Sequence, residues 1–193
     1  MQIIRDISAI TPEPCVATIG FFDGVHMGHR YLIQQVKEIA AAKGLRSALV
    51  TFPVHPRKVM NAAYHPELLT TPEEKTNLLA GTGVDYCLML DFTPDISRLT
   101  AKEFMTQILK ERFQVKYLVI GYDHRFGHNR SEGFDDYVRY GQAIGIEVIR
   151  AQAYTDDIQI DTIQSAPVSS SLIRKLLHQG DVDAAARCLG YEY

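Results

Sequence analysis

At 193 residues, 46% hydrophobic and 22% charged, the chain has material for one domain with a sizeable core and is short for two. A formal net charge of −3 argues against nucleic-acid binding driven by bulk positive charge, while leaving room for a small cationic pocket for phosphates. No run approaches the roughly 20 apolar residues that span a bilayer, and "MQIIRDISAITPEP" lacks the cationic start and apolar stretch of a signal peptide.

In chain order, Cys15–Phe21 is an apolar run rich in β-branched residues and reads as the first strand. A helical stripe of Leu32, Ile33, Val36, Ile39 and Ala40 follows, with Gly44 as its C-cap. Ser47–Phe52 is the second strand. "TPEEKTNLLAGTG" then opens a helix with Thr71 as N-cap, Pro72 at the first position and Glu74 three residues past the cap. Tyr86–Phe92 is the third strand, and "TAKEFMTQILKERF" repeats the capping device with Thr100 and Glu103. Tyr117–Tyr122 and Ile146–Ala151 are the last two strands, with "GFDDYVRYGQAIG" helical between them. "SSLIRKLLHQGDVDAAARCLG" completes the set as a helical segment.

None of the strand runs alternates cleanly, as expected of strands covered on both faces. The pattern predicts an α/β fold: a Rossmann-like parallel sheet with helices on both faces, forming a single domain over residues 1–193. Cys15, Cys87 and Cys188 are far apart without metal-ligand spacing, and read as reduced, mostly buried thiols of a cytoplasmic protein.

Open parallel sheets bind ligands outside the carboxyl ends of their strands. Here the chemically suggestive residues all follow such ends: Gly20–His29, Pro53–Arg57 and Gly121–Gly127. In "GFFDGVHMGH", Gly20 and Gly24 allow a tight turn, and Gly28 leaves the start of the next helix open. His26 and His29 are three apart, so a helix beginning near Val25 places both on its first turn. The free N–H groups and positive end of that turn suit a phosphate. In "VSSSLIRKLLHQGD", Ser169 or Ser170 can cap a helix, leaving Ser170, Ser171 and the Arg174 guanidinium to grip a polyphosphate. His124 and His128 are four apart among glycines, a poor metal pair, and no metal site is expected in the chain itself.

"GFFDGVHMGH" resembles the G-x-F-D-G-V-H-x-G-H signature of the bacterial FAD synthetases, bifunctional riboflavin kinase/FMN adenylyltransferases. Their N-terminal module belongs to the HxGH nucleotidylyltransferases. "VTFPVHPRKVM" resembles that family's T-F-x-P-H-P, "VIGYDHRFG" its V-G-x-[DN]-F-R-F-G, and "VSSSLIR" the superfamily's S-S-T-x-I-R. His124 stands where the family usually has Phe, and Ser171 where Thr is common.

The resemblance implies FMN + ATP → FAD + pyrophosphate, with His26, His29 and Arg174 acting on the phosphates. It implies nucleotide contacts at Gly20, Phe21, Gly24, Gly28, Ser170 and Ser171. Asp123, Phe52, His55, Pro56, Arg125 and Phe126 would face flavin or ribose. Mg²⁺ would come with ATP, and Asp23 would be a structural or outer carboxylate. The implied partners are small molecules, with no nucleic acid or membrane. A riboflavin kinase module is expected in the full-length family protein, and no P-T-A-N kinase signature occurs here. Two other readings stand beside this one: a related enzyme with another phosphorylated acceptor, such as phosphopantetheine or nicotinamide mononucleotide, and a non-catalytic flavin or nucleotide carrier.

Overall fold

Short apolar segments that can be covered on both faces pair side by side into a six-stranded sheet, parallel at every pairing. The computed structural model describes residues 1–5, 12–61, 63, 65–122, 124–154 and 167–193. The strands are β1 (Gln2–Ile4), β2 (Cys15–Ile19), β3 (Arg46–Thr51), β4 (Tyr86–Met89), β5 (Val115–Ile120) and β6 (Glu147–Arg150). Their order is β1-β4-β3-β2-β5-β6. The central β2 is buried along its whole length, with Ala17 opposite Ala48 on one side and Leu118 on the other. This burial is why the strand runs do not alternate. At the edges, β1 and β6 keep exposed positions, and only Ile4 of β1 is buried. So short an edge strand carries no periodic signal, which is why five strands rather than six were legible.

The strands also end earlier than their apolar runs. Gly20 and Phe21 have already left β2, and Phe92 lies three residues past the end of β4.

Along the chain, the helices are α1 (Met27–Lys43), α2 (Pro56–Met60), α3 (Pro72–Ala80), α4 (Pro94–Arg98), α5 (Ala101–Glu103), α6 (Phe134–Ile144), α7 (Ser170–His178) and α8 (Val182–Leu189). Gly44, at φ 64°, closes α1. Thr71 with Glu74 and Thr100 with Glu103 both form complete capping boxes. Beyond Glu103 the chain continues as a π-helical stretch, Phe104–Arg112, whose Phe104, Met105, Ile108 and Leu109 are buried. The C-terminal helical pattern is two helices rather than one. Gly180, at φ 78°, breaks it, and the Asp181 side chain accepts the Ala184 amide to start α8.

Alternate residues of the central strands feed two cores. Ala17, Ile19, Ala48, Val50, Leu118 and Ile120 pack with Phe104, Met105, Ile108 and Tyr137 on one face. Val16, Leu49, Cys87 and Val119 sit on the other face, where Ile33, Val36, Ala40 and Leu79 of α1 and α3 cover them. A third cluster joins α7 and α8 to Leu69, through Leu172, Ile173, Leu176, Ala185 and Leu189. Strand order reverses at β2, whose neighbours β3 and β5 lead to opposite edges, so a crevice opens where β2 and β5 end.

Gly141 lies inside α6, where alanine would ordinarily add about 1 kcal/mol of stability. Here a Cβ would stand 2.4 Å from the carbonyl oxygen of Ile146 and 2.8 Å from Val148. Gly141→Ala is therefore expected to destabilise the fold, by about 1–3 kcal/mol, when measured by urea unfolding.

Candidate active site

The first loop begins where β2 ends and carries an unusual backbone. Phe22 (φ 56°) and Val25 (φ 38°), a bulky and a β-branched residue, both occupy the left-handed region, with Gly24 (φ 76°) between them. Such conformations cost on the order of 1–3 kcal/mol each and persist only when surrounding bonds enforce them. Those bonds are present. The Gly24 amide donates to Thr70 Oγ1 (3.2 Å), Arg30 Nε donates to the Val25 carbonyl (3.1 Å), and the Tyr191 hydroxyl donates to the Gly24 carbonyl (2.7 Å). A Cβ on Gly24 would also meet Leu69 at 2.8 Å, so the position excludes a side chain twice over.

Asp23 is the hub of this loop. Its buried carboxylate accepts the Leu69 amide (2.9 Å), the Thr70 amide (3.3 Å) and the Thr70 hydroxyl (3.4 Å), and forms a 2.9 Å ion pair with Arg174. The Asp23 carbonyl accepts the Ser170 hydroxyl at 3.0 Å. Arg174 also reaches the Glu67 carbonyl (3.4 Å) and Ser171 Oγ (3.4 Å). The start of α7 is thereby attached to the start of α1 across 151 residues of sequence.

His26 is the N-cap of α1: its Nδ1 accepts the His29 amide at 3.3 Å. In the neutral ring the proton therefore sits on Nε2, which can donate. The His29 ring stacks on His26 with centroids 3.6 Å apart and stands edge-on to Phe22 at 5.1 Å. Burial pushes the His26 imidazole down to about 4. His29 lies well below its ordinary range through burial, with His26, His124 and Lys75 adding to the effect. Both rings are neutral at physiological pH.

A cavity of about 830 Å³ opens over this loop. It gathers Gly20, Phe21, His26, Gly28, His29, His55, Ser170, Ser171 and Arg174 from the residues that the sequence singled out. The N-termini of α1 and α7 face it together. Ser169 caps α7 by accepting the Leu172 amide, which leaves the hydroxyl of Ser171 beside the guanidinium. A Cβ on Gly28 would press on the His26 ring at 3.3 Å.

Other candidates lie elsewhere. Gly24 serves the loop's backbone and does not line the cavity. Phe52 continues the inward set of Ala48 and Val50, and its ring packs in the core at 5.5 Å from Phe92. Pro56 opens α2, Arg125 is exposed outside the cavity, and Phe126 stacks on Tyr137 at 4.3 Å. Asp123 lies outside the described residues.

Several lining residues were not anticipated, among them Glu67, Gln152 and Tyr154. Lys75, behind the wall, was missed as well. Its signal was available: Lys75, Leu78 and Leu79 share the spacing of one helix face, and a lysine on an apolar face is unusual. Among the described residues, no group of three or more His, Cys, Asp or Glu side chains is arranged to hold a metal ion, and no helix is long and apolar enough to cross a membrane.

Residues 8–167 match the family model described as FAD synthetase. The whole chain aligns with a bifunctional riboflavin kinase/FMN adenylyltransferase of Escherichia coli K12 at 32% identity, covering 60% of that protein. The corresponding protein of Pseudomonas fluorescens is 35% identical over 98% of this chain and 59% of its own length. The chain thus spans about 60% of these relatives. A solved structure titled as a macrolide-efflux protein from Streptococcus pneumoniae superposes with a TM-score of 0.81 at 29% identity, over 98% of this chain and 70% of that one. With its parallel sheet, its glycine–histidine loop and these relatives, this chain belongs to the FAD synthetase family.

Proposed function

We propose that this chain is an adenylyltransferase module that joins FMN to the AMP moiety of ATP, giving FAD and pyrophosphate. The observation that carries the reading is convergence. Two imidazoles at one helix start, and two hydroxyls with a guanidinium at another, meet in one cavity although nearly 150 residues separate them. A triphosphate is the kind of ligand that needs donors from both sides. The family relationship supports FMN as the acceptor.

The attacking FMN phosphate oxygen is already ionised at neutral pH, so no strong base is required. The site has to align the two phosphates in line and stabilise charge at the α-phosphate and on the leaving pyrophosphate. Neutral His26 donates through Nε2 without carrying charge into a buried position. His29, stacked on it, faces the same phosphate. Arg174 supplies the positive charge, and Asp23 holds one edge of the guanidinium so that the rest points into the cavity. Ser171, whose oxygen accepts from Arg174 and whose proton can be donated, adds a hydroxyl at the β- and γ-phosphates. Ser170 donates its hydroxyl proton to the Asp23 carbonyl and offers its backbone amide, and the free amides at the start of α7 add their partial charge. Mg²⁺ is read as arriving on ATP as part of the substrate, and no step is assigned to a metal held by the protein.

The purified chain with MgATP is expected to convert FMN to FAD with pyrophosphate release and to leave riboflavin untouched. Absence of FAD would defeat the reading. His29→Ala should lower kcat at least a hundredfold with unfolding temperature preserved, as expected of a donor acting mainly in the transition state. Arg174→Ala should raise KM for ATP more than KM for FMN, and an equal effect on both would remove Arg174 from the triphosphate.

The histidines also impose a pH dependence on stability. They titrate lower in the fold than in the unfolded chain, so the unfolded chain binds protons first as pH falls. Their contribution is complete above the ordinary value of 6.5 and is lost as pH drops toward 4. For His26 alone this amounts to roughly 3 kcal/mol. His26→Asn keeps a capping acceptor, and should therefore shrink the loss of stability between neutral and acidic pH seen by urea unfolding.

A further inference from the structure

Lys75 lies on the inward face of α3, four residues before Leu79, and is 2% exposed. Its ammonium donates to the carbonyl of Phe21 at 3.1 Å and of Phe52 at 2.9 Å, and sits 3.9 Å from the centre of the Phe21 ring. These carbonyls belong to the points where neighbouring strands β2 and β3 give way to the first and second loops. Among the described residues Lys75 forms no ion pair. A buried cation without a paired anion is a costly way to join two carbonyls, and an apolar side chain could fill the same volume without dehydrating a charge. Lys75 does not line the cavity, yet Phe21, one of the two residues it grips, does. The Phe21 ring stands edge-on to His55 at 4.7 Å, and both form cavity wall.

We propose that Lys75 is a positioning residue for nucleotidyl transfer: its ammonium sets the spacing of the first and second loops and fixes the Phe21–His55 wall. This rests on the transferase reading given above. A protonated amine has three N–H donors, and two carbonyls with one aromatic face use all three. The Phe21 carbonyl also accepts the Thr51 hydroxyl at 3.3 Å, so Lys75 and the end of β3 share one acceptor at the start of the first loop. The grip depends on protonation. Burial lowers the amine to about 8, against the opposing pull of Asp23 and, more weakly, of Cys87. The groups facing Lys75 are Asp23 from the first loop, Cys87 from the sheet, and the His29 and His55 rings. The Cys87 thiol is pushed up to about 11, and both histidines lie below their ordinary range, so among these groups Lys75 is the one that changes charge near pH 8.

The test compares wild type, Lys75→Met and Lys75→Arg in steady-state FAD formation across neutral to alkaline pH. The His55 ring-proton resonance serves as a readout that needs no turnover. A misplacement of about 1 Å costs up to about a hundredfold in rate. Lys75→Met should therefore lose at least tenfold in kcat/KM while its unfolding temperature stays close to wild type, and its His55 resonance should move. Wild-type rates should fall above about pH 8 as the amine deprotonates. Lys75→Arg, which stays charged, should keep most activity and lose that alkaline fall. Lys75→Met within threefold of wild type, or the same alkaline fall in Lys75→Arg, overturns the proposal. If Lys75→Met fails to fold, the profile of Lys75→Arg decides, and failure of both to fold makes Lys75 a merely structural residue. Should wild type form no FAD, the transferase reading fails by itself, and an unmoved His55 resonance in Lys75→Met still overturns the positioning role.

Discussion

The buried carboxylate of Asp23 is the constraint on which the site depends. It holds the strained first loop, accepts two amides and a hydroxyl from the segment at Leu69 and Thr70, and pairs with Arg174 of α7. Asp23 is buried while Arg174 opens onto the cavity, so removing the guanidinium would strand a buried carboxylate, whereas the exposed side of the pair is screened by solvent. The pair is thus better understood as a tether than as a source of net stability. The carboxylate aims the guanidinium, and the guanidinium carries the end of α7 to the mouth of the sheet. Without this bond, the α7–α8 unit would rest on the remainder of the molecule chiefly through the apolar cluster around Leu69.

The electrostatics divide the labour. The two histidines are kept neutral by burial, with His26 adding to the effect on His29, so they offer directed donors. Positive charge is supplied by Arg174 at the cavity surface and, from behind the wall, by Lys75. A site built from imidazolium ions would bind triphosphate strongly in its ground state. On the proposed adenylyl-transfer reading, neutral donors favour the charge that develops in the transition state instead.

Much of this was legible in the amino-acid sequence because it follows local rules. The continuous apolar runs of β2 to β5 mark a doubly covered sheet, and the capping boxes at Thr71 and Thr100 mark helix starts. Of the residues read from the loops after strand ends, His26, His29 and His55 line the cavity, and Arg174, read from the C-terminal helix, reaches it from α7. What was not legible depends on tertiary parity and on long-range pairing. Phe52 shares the two-residue period of Ala48 and Val50, so it turns into the core although its neighbour His55 faces the cavity. The role of Asp23 required its partner 151 residues away. The helix spacing carried a signal for Lys75, but its partners are carbonyls 54 and 23 residues away, which only the packing of α3 on the sheet ends brings within reach.

The tether has a consequence for how the molecule comes into being. Asp23, Ser170, Arg174, Gly24 and Tyr191 are joined by bonds spanning 147 to 167 residues. The first loop is made early in synthesis, and its tether to α7 can close only after at least 147 further residues have followed. The sheet can assemble before then, but the cleft is complete only once α7 and Tyr191 have joined the first loop.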